Sequence, residues 1–232
     1  MKRKVFYFFS FLLLTFPLTI FAQTAPYINA AVADTEFHRI TAADMDKIRT
    51  LKILFGSRSF GYNMRSGLRS LANKDPMYDI LSAYHEYNVF GAGGDLSVVP
   101  VNAFDTLTFV HIMVTASPWT TRLYEMEDLV REAPHYFQDD INVFMIYYHG
   151  GDAGTFDLYS AKMDSLQADF PHIKFIYVTA GFEDSSHVTH NTNAAQFSQL
   201  VRDNYLGKVP LYDLGYILND DGRCGNQYCP EY

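Results

Sequence analysis

Short, continuous apolar runs alternate along this chain with amphipathic stretches, and this alternation narrows the possible folds more than any other feature. Lys52–Phe55 (KILF), Phe109–Val114 (FVHIMV), Val143–Tyr148 (VFMIYY), Phe175–Thr179 (FIYVT) and Val209–Leu214 (VPLYDL) have the length of strands. A strand without polar alternation needs cover on both faces, which a parallel sheet between helices supplies. The intervening segments keep a helical period. Phe60, Met64, Leu68 and Leu71 share one face of a helix expected to begin just after Ser59. Phe156, Tyr159, Met163 and Leu166 do the same between Thr155 and Phe170, as do Ala194, Phe197, Val201 and Tyr205 further on. A helical stretch containing LYEMEDLVREA separates two of the strands, and Thr41–Leu51 opens on a capping-box pair, Thr41 and Asp44. Met77–Tyr87 is read as another helix, and Gly56 as the end of the KILF strand. The pattern predicts an α/β fold, a three-layer α/β/α sandwich on a mostly parallel sheet.

The first 22 residues carry Lys2, Arg3 and Lys4, then an uncharged apolar core to Phe21, then Ala22 before the polar Gln23. This is the pattern of a secretory signal, and Pro17, the small-residue exit and the lack of a basic flank favour cleavage over a membrane anchor. The expectation is a signal peptide over residues 1–22, one domain over 23–232, a secreted or periplasmic location and no stable membrane anchor. From Gln23 onward, 15 basic residues face 26 acidic ones, a net charge of −11. Such a surface suits neither nucleic acid nor anionic lipid. Cys224 and Cys229, the two cysteines of the chain, are expected to pair in an oxidising compartment. No metal or cofactor is expected, because no cluster has a specific ligand spacing.

In a parallel sheet, ligands bind beyond the carboxyl ends of the strands. Three turns there carry chemistry. Gly56-Ser57-Arg58-Ser59-Phe60-Gly61 places Ser59 between a buried strand and a helix, beside backbone N–H groups and the positive end of the helix dipole. That suits a nucleophile whose transition state develops an oxyanion, and it also suits a helix N-cap. Phe90-Gly91-Ala92-Gly93-Gly94-Asp95 lets backbone approach a ligand closely, without the Lys and Ser/Thr of a phosphate loop. His149-Gly150-Gly151-Asp152 adds an imidazole and a carboxylate.

KILFGSRSFGYNMRSGL, then INVFMIYYHGGDAGTFDLYSAKMDSLQADFPHIKFIYVTAG, then a helix and VPLYDLGYI, resembles the block order of the SGNH/GDSL hydrolase superfamily over Lys52–Ile217. The resemblance implies a flavodoxin-like sheet with the serine strand inside it, Ser59 as nucleophile, and Gly91 and Gly94 near the oxyanion hole. It also implies a binding role for Gly151 and Asp152. Two blocks depart from the family pattern: His149–Asp152 lacks the Asn of Gly-x-Asn-Asp, and no Asp-x-x-His follows Asp213. Asp184 to His187 does spell Asp-x-x-His, one strand early, so His187 is the candidate base and Asp184 its orienting group.

Two functions follow. One is a secreted esterase or carbohydrate deacylase whose substrate is a small-molecule or glycan ester. The other is a catalytically inactive protein of the same fold that binds a ligand or glycan.

Overall fold

The structure is a computed structural model that describes residues 25–57, 59–86, 99–113, 119–147, 153–182 and 187–219. The expected signal segment, the Gly91–Gly94 turn, Gly151, Asp152, Asp184 and both cysteines lie outside the described residues.

Seven strands are described: β1 Tyr27–Ile28, β2 Ile53–Ser57, β3 Ser82–Glu86, β4 Phe109–Met113, β5 Val143–Ile146, β6 Lys174–Val178 and β7 Leu211–Tyr212. Seven α-helices accompany them: α1 Ala30–Glu36, α2 Ala42–Arg49, α3 Ser59–Ala72, α4 Trp119–Arg131, α5 Phe156–Asp169, α6 Val188–Tyr205 and α7 Leu214–Asn219. The strand order is β1-β7-β6-β5-β2-β4-β3, and every pairing is parallel. The expected α/β sandwich is the observed architecture.

Contacts divide the chain into two compact units, one formed by Thr41–Tyr147 with Asp157–Ile176. In that unit β2 lies between β4 and β5, with Ile53 opposite both Phe109 and Val143. All five β2 residues are buried. Successive side chains leave a strand on opposite faces, and the two faces of β2 meet different helices. A Cβ added at Gly56 would lie 2.6 Å from Met126 Sδ of α4. On the other face, Ser57 lies against α3, where Met64, Leu68 and Leu71 are buried. Helices α4 and α5 are joined by ion pairs, Arg131 to Asp169 at 2.6 Å and Lys162 to Glu127.

Several sequence expectations hold in detail. Thr41 Oγ1 accepts from the Asp44 N–H at 3.3 Å while the Thr41 N–H donates to Asp44 Oδ2 at 3.1 Å, closing the capping box of α2. Two expectations need correction. The first strand does not end at Gly56: it runs on to Ser57, because neighbours on both sides continue the ladder, Gly56 opposite Ile112 and Ile146, and Ser57 opposite Met113. Nor is Met77–Tyr87 a helix. Asp75 caps a short 3-10 turn over Pro76–Tyr78, and Ser82–Glu86 then forms β3 on β4. An edge strand has a ladder partner on one side only, and its local sequence does not reveal that pairing.

The second unit comprises the described residues up to Ile40, 153–156 and those from Tyr177 onward. Its centre is a buried carboxylate at the end of β7. Asp213 accepts from Tyr27 Oη at 2.7 Å, Thr179 Oγ1 at 2.9 Å, Arg202 Nε and Nη2 at 2.7 and 2.9 Å, and the Tyr216 N–H at 3.2 Å. Burial, reinforced by the Asp213 charge, pushes the Tyr27 hydroxyl well above the ordinary phenol range, so Tyr27 stays a donor. These bonds tie β1, β6, α6, β7 and α7 together. Removing one member of a buried ion pair leaves the other charge uncompensated. Asp213→Asn is therefore expected to lower stability by about 3 kcal/mol in urea unfolding; a change below about 1 kcal/mol, the scale of a neutral hydrogen bond, would contradict this.

Candidate functional site

The site is built where β2 passes into α3. β4 extends level with the end of β2 and β5 reaches the residue before it, so the turn after Ser57 sits at the carboxyl edge of the sheet between β4 and β5. Ser59 is the first residue of α3, two positions beyond the last residue of β2. The helix therefore starts with its free N–H groups and positive dipole end at the sheet edge.

Beneath this turn is a polar pair that sequence reasoning did not pick out. Ser57 Oγ and His111 Nε2 lie 2.8 Å apart in hydrogen-bond contact, with Ser57 3 % and His111 0 % exposed. Register explains the meeting. His111 stands opposite Phe55 and Met113 opposite Ser57 on adjacent parallel strands, so these side chains share the face that α3 covers. The His111 ring lies 5.5 Å from the Phe55 ring, which in turn lies 5.9 Å from the Phe109 ring. Burial, with a smaller effect from the Arg65 cation, pushes the His111 imidazole down to about 3. At ordinary pH it is neutral, so the bond is either hydroxyl to Nε2 or Nε2–H to hydroxyl.

Gly61 seals the pair. A Cβ at this position would lie 2.0 Å from Ser57 Oγ and 2.2 Å from His111 Nε2, closer than atoms can approach. The backbone of the first α3 turn thus rests directly on both polar atoms. Phe60, one residue earlier, packs on the buried Tyr147 with ring centroids 5.1 Å apart. Tyr147 is held in turn by its N–H, which donates to the Gly56 carbonyl at 2.8 Å. A serine hydroxyl under this seal cannot meet an acyl group. Ser57 has a hydroxyl and an imidazole partner but lacks access.

Of the residues expected to form the site, Ser59 and His187 fall among those described. His187 is exposed and occupies the N-cap position of α6, where its carbonyl accepts from the Asn191 N–H at 2.9 Å. It belongs to the second compact unit, Ser59 to the first. Asp184, Gly91, Gly94, Gly151 and Asp152 lie outside the described residues. The His111 position carried one signal, a lone imidazole inside the apolar run FVHIMV, and the Gly56-Ser57 ending of β2 carried another. Their pairing depended on β4 being the neighbour of β2.

No known protein family, curated protein or solved structure matches this chain.

The buried imidazole makes stability depend on pH. In the folded chain His111 takes up a proton only near pH 3, whereas the unfolded side chain does so near 6.5. Between these values the unfolded state binds more protons, so the contribution is fully present above about pH 6.5 and is lost as pH falls toward 3. From pH 7 to pH 5 the wild type should lose about 2 kcal/mol more than His111→Gln, at about 1.4 kcal/mol per pH unit below 6.5. Urea unfolding of both proteins across this range checks it; parallel curves would contradict it.

Proposed function

We propose that the chain is an exported serine hydrolase of the SGNH/GDSL kind that cleaves an acyl ester of a small molecule or glycan, with Ser59 as nucleophile. The observation that carries this reading is the position of Ser59, the first residue of α3 after the end of β2, an interior strand of an all-parallel sheet. Ligand sites of open α/β sheets lie at this edge. A hydroxyl here has the N–H groups and positive end of a helix beside it, which favour the negative charge of an acyl-transfer intermediate. The α/β sandwich and the strand order, with β6 two places from β2, accord with the block order on which the resemblance rests.

In this reading Ser59 Oγ attacks the acyl carbonyl carbon while a general base takes the hydroxyl proton, a role that the resemblance assigns to His187 with Asp184 as its orienting group. N–H groups of the α3 turn hold the oxyanion, a task in which the resemblance also assigns a part to Gly91 and Gly94. The intermediate collapses, the C–O bond to the alcohol breaks, and the alcohol leaves with the proton. Water then releases the acid. The resemblance assigns Gly151 and Asp152 a binding role. The amino-terminal 22 residues direct export and are removed, and the mature anionic chain binds no nucleic acid.

Wild-type protein is expected to hydrolyse p-nitrophenyl acetate and to be modified by a fluorophosphonate at the peptide containing Ser59. Ser59→Ala should lose both, turnover by at least about 100-fold, and His187→Ala should lose nearly as much turnover because nucleophile and base act together. Ser57→Ala should still be modified at Ser59. Turnover that survives in Ser59→Ala, or wild-type protein that never reacts, would overturn the assignment and favour the inactive ligand-binding protein.

A further inference from the structure

We propose that Ser57 and His111 are positioning residues, whose hydrogen bond, closed by Gly61, fixes the first turn of α3 and so sets the reactivity of Ser59. This rests on the reading of Ser59 as nucleophile.

Three observations converge on this turn. The pair links the end of β2 to β4 by a side-chain bond of 2.8 Å, in addition to the backbone ladder. The α3 backbone at Gly61 lies on both atoms of that bond with no room for a single carbon between. Phe60 is held from the β5 side by Tyr147. The two residues that follow Ser59 are thus seated on different neighbouring strands, one through His111 and one through Tyr147.

Burial alone does not call for a polar pair here. β2 and β4 are otherwise apolar on this face at Ile53, Phe55 and Phe109, and two apolar side chains of matching shape would fill the same space. What a hydrogen bond adds is direction: its strength falls steeply with distance and angle, whereas apolar contact tolerates sliding. A turn seated on such a bond keeps one height above the sheet. Placement on this scale matters for chemistry, because displacement of a reacting group by about 1 Å can cost about 100-fold in rate.

The test compares wild type, Ser57→Ala, His111→Gln and His111→Leu in two measurements. His111→Gln retains a polar atom near the Nε2 position and His111→Leu does not. The first measurement is amide hydrogen exchange, read by mass spectrometry over residues 57–66. The second is the rate of fluorophosphonate modification at Ser59, with kcat and KM on p-nitrophenyl acetate. Ser57→Ala and His111→Leu should exchange about tenfold faster over residues 57–66 with the α5 peptide unchanged. Both should also react at Ser59 about tenfold more slowly through kcat, with KM held. His111→Gln should recover both readouts to within about threefold of wild type. A purely structural role would lower the folded fraction and speed exchange everywhere, without rescue by glutamine. Unchanged exchange over 57–66 in Ser57→Ala and His111→Leu overturns the inference, and so does faster exchange with Ser59 reacting at the wild-type rate. Wild-type protein that does not react at Ser59 overturns the nucleophile assignment and with it the role in reactivity. The fixing of the turn is then decided by the exchange result alone.

Discussion

The close approach of α3 to the end of β2 is the constraint around which the first unit is arranged. A helix that follows a buried parallel strand has to fold back over the sheet at once, and here it does so with Gly61 in contact with Ser57 and His111. That contact leaves no room for a side chain at 61 and brings the helix backbone onto a small residue at 57 and a flat ring at 111. Gly56 answers the same demand on the opposite face, where a Cβ would run into Met126 of α4. Consecutive residues of one strand thus admit helices closely from both sides, which is how a three-layer sandwich is closed at an interior strand.

The two units hold their buried polar groups by opposite electrostatic means. Asp213 has the Arg202 guanidinium as counter-charge and takes hydrogen bonds from Tyr27, Thr179 and the Tyr216 N–H as well. His111 meets burial by remaining uncharged, since low polarity around it disfavours the imidazolium. A charged network suits the joining of several chain segments, because each donor adds a tie. A neutral pair suits the floor of a closely packed turn, because it adds no fixed charge of its own to a site without a counter-charge.

Much of the architecture was legible in the sequence, and for a physical reason: strands covered on both faces read as apolar runs, and helices on a sheet read with a 3.6-residue period. The helix faces Met64-Leu68-Leu71, Tyr159-Met163-Leu166 and Ala194-Phe197-Val201 are all buried as that period requires. The reading of Ser82–Glu86 as helix failed because a parallel edge strand takes its stability from a partner 27 residues away along the ladder, Ser82 opposite Phe109, and not from local pattern. Ser59 was visible because a strand-to-helix turn is a local signal. The Ser57–His111 pair was not, since it joins residues 54 positions apart whose adjacency follows only from the strand order. Its trace was an imidazole in an apolar run, which becomes meaningful once β4 is known to lie beside β2.

The central claim is that a buried, neutral imidazole bonded to Ser57 forms the floor of the Ser59 turn. Its most direct test is a long-range 1H–15N correlation spectrum of the His111 ring, recorded from pH 7.5 down to pH 4.5. The structure predicts a single neutral tautomer whose ring shifts stay constant over the whole range, since protonation waits until about pH 3. It also predicts a change in the Nε2 resonance in Ser57→Ala. A His111 ring that titrates near pH 6.5, or an Nε2 signal indifferent to the loss of the Ser57 hydroxyl, would contradict the account.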